Sequence, residues 1–218
     1  MNTSHRGLSL LVLFIAMTSA TPLLAGRPPT TQEARGLADR AKDAPFATSG
    51  RATFEELKVG DLQLTAATEN IHCTGFTFNV VFNVLKAEMA QWDRDRLIKF
   101  RNEWYGMTPE SARMQLVTAM VNAQVGTYVQ NPAEAKVGDF AYFQRLATLD
   151  SYPRGLGHSV VITELIPPEG PAVGFKYLSA QPDTQDRNGQ ELFERNPQDP
   201  NQQVTIDKAR LFIGRTNP

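Results

Sequence analysis

The chain has 218 residues, of which 41% are hydrophobic and 21% are charged, and its formal net charge is −1. This balance is typical of a folded domain and excludes collagen-like and low-complexity classes. A near-neutral chain also lacks the concentrated basic charge that binding to nucleic acid or to an anionic membrane surface requires.

The first 25 residues have the pattern of a secretory signal peptide. Arg6 supplies a positive charge, and the apolar run from Leu8 to Met17 is too short to span a bilayer. Small residues then allow cleavage after Ala20 or Ala25. We therefore predict a secreted or periplasmic protein with no membrane span after cleavage, the alternative being an uncleaved anchor. Removing residues 1–25 takes away one of the 22 basic residues and no acid, which leaves a net charge of −2.

The next segment separates the signal peptide from the folded domain. Residues 26–50 contain Pro28-Pro29, and Gly36 interrupts a weak apolar pattern. We therefore predict a flexible leader there rather than a short helix from Thr31 to Ala44. The apolar content of Phe54–Leu64 marks the beginning of the domain, which we place at residues 51–218.

The only cysteine of the chain precedes its most apolar stretch. After Cys73 come some fifteen residues dense in Phe, Val and Leu, ending near Met89. A run of that length predicts a buried helix with Cys73 at its N-terminus, where free N–H groups and the helix dipole favour a thiolate. A lone thiol in an exported protein cannot form an internal disulfide, so it is buried, intermolecular or reactive.

Two further helices are predicted before residue 126. Asp93 begins one of them, and Gly106 ends it. Thr108-Pro109-Glu110 combines an N-cap residue, a proline at the first helical position and an acid at the positive pole. This signal predicts a second helix that continues to about Val125.

Strands dominate the second half of the chain. A Gly-Asp turn leads into an aromatic strand within Val137–Phe143, in which Asp139 is predicted to bond nearby amides. His158 begins a second strand, and a proline-rich turn precedes a third over Val173–Gln181. Residues 182–203 are polar and predict a surface excursion, after which Val204–Ile213 adds a last strand. The fold class is therefore α+β, with N-terminal helices packed on an antiparallel sheet.

The order of Cys73 and His158 suggests nucleophilic catalysis. A thiol becomes a strong nucleophile when an imidazole lies within hydrogen-bond reach, since thiolate and imidazolium stabilise each other. The imidazole then donates its proton to the leaving amine and needs a polar group on its other nitrogen to fix its orientation. A zinc site is not favoured, because one Cys and two His in the mature chain lack the spacing of metal ligands.

Three short motifs resemble those of the NlpC-type, papain-like cell-wall peptidases. Ile71-His-Cys-Thr-Gly-Phe resembles the family's Asp-Cys-Ser-Gly-Phe nucleophile motif. Val137-Gly-Asp-Phe-Ala-Tyr-Phe resembles its Gly-Asp-Leu-Val-Phe-Phe strand, and Gly157-His-Ser-Val-Val-Ile resembles its Gly-His-Val-Gly-Ile strand. The motifs occur in the family's order and cover roughly residues 69–181.

The resemblance implies a papain-like fold that hydrolyses amide bonds in peptidoglycan stem peptides without metal or cofactor. It implies that Cys73 is the nucleophile, that His158 is the base and that a polar residue follows on the next strand. The sequence departs from the family at His72, which stands where the family has Asp. The long segment between Cys73 and Gly138 resembles an insertion that builds a different substrate cleft.

Hairpin geometry selects candidates for the third residue. If 158–165 and 173–181 pair, the end of the later strand lies beside His158. Gln181 is our choice because its amide oxygen can accept from the imidazole, and Ser179 is the reserve. The backbone N–H of Cys73 is expected to help hold the oxyanion, with His72 as a secondary residue that lends its backbone rather than a second base.

Two other classes of function remain open at this stage. One is a catalytically silent module that binds cell-wall or other peptides in the same cleft, which a blocked or buried Cys73 favours. The other is a thiol acyltransferase or amidase toxin, which a cognate immunity protein or an acyl-acceptor product would mark.

Overall fold

Helices pack on one face of an antiparallel sheet in this α+β domain. The computed structural model describes residues 30–47, 52–149, 157–181 and 187–217. The helices are α1 Thr30–Arg40, α2 Cys73–Met89, α3 Arg94–Trp104, α4 Leu116–Asn122 and α5 Leu146–Leu149, with a 3-10 turn at Pro132–Glu134. The strands are β1 Leu57–Val59, β2 Leu62–Thr65, β3 Gly126–Val129, β4 Phe140–Arg145, β5 Gly157–Ile166, β6 Gly174–Leu178, β7 Asn188–Leu192 and β8 Ile206–Thr216.

The strands form two sheets, of which the larger carries the site. Strands β1 and β2 make a small hairpin. The six-stranded sheet has the order β3-β8-β4-β5-β6-β7, and all of its neighbours pair antiparallel. The aromatic strand, the His158 strand, the strand after the proline-rich turn and the last strand are thus confirmed.

Alternation along β4 separates two hydrophobic clusters. Phe140 and Tyr142 belong to the cluster that contains the helices, whereas Ala141 and Phe143 belong to a second cluster. Because successive side chains of a strand point to opposite faces, the two clusters lie on opposite faces of the sheet. The helices therefore cover one face of the sheet. On the other face, the side chains of the strands pack on one another in the second cluster, which includes Phe143, Phe175 and Tyr177.

Helix α2 is enclosed by the rest of the domain, which explains its apolar composition. Thirteen of its residues are buried, including Phe76 and Phe82. Gly75 lies against the chain at Ala52, because a Cβ at this position would stand 1.8 Å from the Ala52 carbonyl oxygen. The buried helix predicted after Cys73 is confirmed, and its N-terminus is fixed by backbone contact.

The predicted flexible leader is wrong for the part that the structure describes. Residues Thr30–Arg40 form helix α1, with Ala34 and Leu37 fully buried against the main core. The Arg187 guanidinium donates to the carbonyl oxygens of Ala41 and Ala44, which ties the end of α1 to the turn before β7. Tertiary packing thus stabilises a helix whose own sequence pattern is weak. The remaining leader residues and the predicted signal peptide lie outside the described residues.

The helix predicted from Thr108 begins later than its sequence signal. The Thr108 hydroxyl accepts from the Ser111 N–H at 3.2 Å, as an N-cap does, but residues 108–115 form turns and α4 begins at Leu116. Gln115 has a positive φ of 43°, which interrupts the helical path before α4. By contrast, Asp93 caps α3 as predicted, accepting from the Arg96 N–H at 2.7 Å.

Four strands of the described residues were not predicted, namely β1, β2, β3 and β7. Strand β7, Asn188–Leu192, lies within the segment expected to be a surface excursion and pairs with β6. In the part of the chain that the structure describes, no helix is long and apolar enough to cross a membrane.

Candidate active site around Cys73

Cys73 occupies the first residue of α2 and is buried, with 3% of its surface exposed. Its Sγ lies 3.8 Å from Nδ1 and 4.0 Å from Nε2 of His72, and 3.9 Å from the hydroxyl of Thr74. The thiol is therefore surrounded by polar atoms at the positive end of a long helix, which is where a thiolate is stabilised.

His72 is the N-cap of α2. Its Nδ1 accepts from the Thr74 N–H at 3.2 Å, and its ring stacks on Phe46 with 5.9 Å between the ring centroids. Because an amide N–H can only donate, the proton of the neutral ring is assigned to Nε2. Burial lowers the pKa of His72, but hydrogen bonding and the charge of Cys73 outweigh burial, so the pKa is raised. The side chain of His72 thus contacts the thiol, whereas the sequence analysis predicted only a role for its backbone.

His158 is the second residue of β5 and is 7% exposed. Its ring packs edge-on against Phe143, its partner across β4, and against Tyr177 on β6, with centroid distances of 5.6 and 5.7 Å. The Nε2 of His158 is buried and has no hydrogen-bond partner of regular geometry in the described residues. A buried polar nitrogen without such a partner calls for an explanation, which the interaction of His158 with the Cys73 thiol supplies.

The two imidazoles determine the ionisation of the thiol. Burial raises the pKa of Cys73, but hydrogen bonding and charge interactions with His158 and His72 outweigh burial, and the pKa lies well below the usual value of a thiol. A thiol of this kind is ionised at a lower pH than a free cysteine and is correspondingly nucleophilic.

Gln181 and Ser179 follow β6, on the strand side that the hairpin argument predicted, but both bond elsewhere. The amide oxygen of Gln181 accepts from the Tyr177 hydroxyl at 3.2 Å and from Arg145 at 3.3 Å. The hydroxyl of Ser179 donates to the carbonyl oxygen of Ser159 at 2.6 Å. Within the described residues, neither side chain forms a hydrogen bond with His158.

A polar network supports the Tyr177 ring that packs against His158, and the sequence analysis did not predict it. Arg145 donates from Nε to Glu191 at 2.6 Å and from its Nη2 to the Tyr177 hydroxyl at 2.8 Å. The single proton of this hydroxyl is shared between Glu191 and Gln181, each of which accepts at 3.2 Å. Burial, the largest effect, raises the pKa of Tyr177. Three strands contribute these side chains, so no sequence motif joins them. The network holds the aromatic ring against which His158 packs.

Tyr142 lies on the helix-facing side of the same strands. Burial and the charge of Cys73 raise the pKa of Tyr142, while a hydrogen bond with Gln144 opposes the shift. Its ring lies over Gly157, where a Cβ would stand 2.0 Å from the tyrosine oxygen. Its phenol therefore remains protonated and close to the residue that precedes His158.

Asp139 has the predicted turn role and an ion pair besides. Its Oδ2 accepts from the Lys136 N–H at 2.7 Å, and Arg215 donates to both carboxylate oxygens at 2.8 and 2.9 Å. This contact joins the start of β4 to the end of β8 and lies away from the thiol.

The described residues contain no group of three or more His, Cys, Asp or Glu side chains that could hold a metal ion. Comparison of the chain with models of known protein families, with curated proteins and with solved structures finds no match. The functional argument therefore depends on the geometry and electrostatics around Cys73.

Proposed function

We propose that this protein is a papain-like cysteine hydrolase that cleaves amide bonds. The observation that carries the proposal is the position of the Cys73 thiol at the N-terminus of α2, 3.8 Å from Nδ1 of His72. His158 and His72 together lower the pKa of this thiol. Structural cysteines in apolar surroundings have raised pKa values and are inert. Cys73 is also buried, but its pKa is lowered rather than raised.

The proposed reaction proceeds through a thioester. The thiolate of Cys73 attacks the carbonyl carbon of the substrate, and the electron pair of the carbonyl moves to its oxygen. The N–H groups at the start of α2 favour this developing negative charge. The imidazolium of His158 gives its proton to the nitrogen of the leaving amine as the C–N bond breaks. Water then attacks the thioester, His158 takes its proton, and the acid and free thiolate are released.

We propose that packing against two aromatic rings orients the imidazole of His158, and that Gln181 helps to hold one of these rings in place. Tyr177 and Phe143 hold the imidazole edge-on, and Gln181 accepts from the Tyr177 hydroxyl. Gln181 would therefore be a positioning residue that acts through Tyr177. Replacement Gln181→Ala should lower kcat more than it raises KM and should shift the acidic limb of the pH–rate profile. An unchanged pH profile would exclude this role.

Peptidoglycan stem peptides are the proposed substrate class, by resemblance of three motifs to the NlpC-type family, and export by the signal peptide would deliver the protein to them. The test is digestion of purified disaccharide-peptide fragments followed by mass spectrometry. A new amine and carboxylic acid should form with the native protein and should be absent with Cys73→Ala. Hydrolysis that persists in Cys73→Ala would refute the mechanism.

The burial of Cys73 favours a second candidate function. A thiol that is 3% exposed is reached by a substrate carbonyl only if the surrounding side chains move. A catalytically silent module would bind the same fragments without forming any product. Titration calorimetry with the native protein and with Cys73→Ala distinguishes the two, because a silent module binds equally well in both forms and releases nothing.

A further inference from the structure

A polar groove opens beside the candidate active site. It has a volume of about 430 Å³ and lies on the helix-facing side of β4 and β8, under the turns that precede α4. Its walls include two arginines and two aromatic rings: Arg113, Arg210, Tyr142 and Phe212. The proposed mechanism assigns no task to this groove.

The two arginines differ in their partners. Arg210 is satisfied, since it donates to Gln144 at 2.6 Å and pairs with Asp207 at 3.3 Å. Arg113 makes no hydrogen bond or ion pair in the described residues, and its guanidinium lies over the ring of Phe212 at 5.4 Å from the centroid. An aromatic face positions a guanidinium and leaves its N–H donors free for a planar anion.

Tyr142 connects the groove to Cys73. Tyr142 of β4 pairs with Ser159 of β5. The Ser159 hydroxyl lies 3.4 Å from the hydroxyl of Thr74, the residue that follows Cys73. On its other side Tyr142 pairs with Phe212 of β8. The charge of Cys73 contributes to the raised pKa of Tyr142, which agrees with this proximity.

Strand spacing gives the scale of the separation between the groove and Cys73. Phe212 lies two strands from β5, whose Ser159 contacts Thr74 beside Cys73, and two strand spacings correspond to roughly 10 Å between the backbones. An extended peptide covers about 3.3–3.6 Å per residue, so roughly three residues bridge that distance.

We propose that this groove is a substrate subsite in which Arg113 binds a carboxylate about three residues from the bond that is cleaved. The proposal rests on the proposed function, because it takes Cys73 as the reacting atom. It defines the substrate class as acidic peptides or peptide-like amides.

The experiment compares two alkylating peptides that differ only in charge. Iodoacetyl-Gly-Gly-Glu-amide and iodoacetyl-Gly-Gly-Gln-amide each transfer their CH₂ carbon to the thiolate with loss of iodide. Since Cys73 is the only cysteine, intact mass gives the rate directly. The native protein, Arg113→Gln, Arg113→Lys and the control Arg195→Gln are compared. Arg195 is exposed after β7, four strands from β8.

The subsite predicts that the Glu probe reacts about fivefold faster than the Gln probe in the native protein and in Arg195→Gln. The ratio should fall to about one in Arg113→Gln, recover in part in Arg113→Lys, and decrease in 0.5 M salt. Equal rates for both probes in the native protein, or a preference that survives Arg113→Gln, would overturn the subsite.

Failure of the proposed function is recognised separately. Plain iodoacetamide at pH 6 reports whether the thiol is activated, whatever the charge of the probe. If iodoacetamide reacts only at alkaline pH, the hydrolase is refuted, and the Glu to Gln ratio measured at that pH still decides whether Arg113 binds a carboxylate.

Discussion

Replacement of His72 separates its structural role from its electrostatic role. His72→Ala removes the hydrogen bond from the Thr74 N–H and the stacking on Phe46. Loss of an N-cap costs about 1 kcal/mol, and loss of an aromatic pair costs about 0.5–1 kcal/mol. We therefore expect the free energy of unfolding to fall by about 1.5–2 kcal/mol.

The same change acts on the thiol. The neutral ring of His72 accepts from Thr74, whereas the protonated ring gives up that bond and stands beside the thiolate as an opposite charge. An opposite charge within about 4–6 Å shifts a pKa by roughly 1–3 units, and His158 remains in the variant. The pH midpoint of Cys73 alkylation should therefore rise by about one unit in His72→Ala. His72→Asn serves as the matched control, because asparagine restores the cap but carries no charge.

The assay combines urea denaturation at pH 8 with alkylation rates between pH 5 and pH 9. His72→Asn should regain about 1 kcal/mol of stability relative to His72→Ala while keeping the raised midpoint. If His72→Ala changes neither stability nor midpoint, the capping bond and the contact with Cys73 do not form. If His72→Asn restores the midpoint, the cap rather than the imidazole controls the thiol.

Three substitutions test the fold around the site. Gly36→Ala should stabilise the protein by about 0.5–1 kcal/mol in denaturant, since Gly36 lies within α1; no effect would argue for a flexible leader. Gly75→Ala should cost about 3 kcal/mol, because its Cβ would stand 1.8 Å from the Ala52 carbonyl oxygen, and a neutral result would contradict that contact. Asp139→Asn should cost about 1.5–3 kcal/mol through its bonds to Arg215, whereas a change within 0.5 kcal/mol would show that this pair is not formed.

The helix that begins at Cys73 was predictable because its signal is local. The apolar run after Cys73 is long enough for a helix and too apolar for a surface position, and the structure encloses α2 accordingly. The strand that begins at Gly157 was predictable for a similar reason, since its β-branched residues follow a glycine-rich loop.

Tertiary packing decided the elements that sequence reasoning missed. Helix α1 contains Gly36 and has a weak apolar pattern, yet burial of Leu37 supplies the stability that its own propensity lacks. Thr108 carries a strong helix-start signal, but its hydroxyl and that of Ser111 form a closed local turn at 2.9 Å. Local hydrogen bonding of this kind competes with helix formation.

The third site residue shows the limit of register arguments. Val161 and Leu178 are the last pair between β5 and β6, and the same register extended three residues beyond β6 would set Gln181 opposite His158. The amide of Gln181 nevertheless bonds to Tyr177 and to neighbouring groups, because a buried hydroxyl and guanidinium on other strands must also be satisfied. Register fixes which backbones face each other, whereas side-chain partners depend on every strand nearby.

The pH dependence of Cys73 alkylation by iodoacetamide tests the central claim most directly. The native protein and His158→Ala are labelled at a series of pH values, and the single cysteine makes intact mass sufficient as a readout. Because both imidazoles lower the pKa of Cys73, we predict rapid labelling well below pH 8 and a higher midpoint in His158→Ala. Labelling that begins only near the free thiol pKa of about 8.5, with no effect of the substitution, would contradict the account.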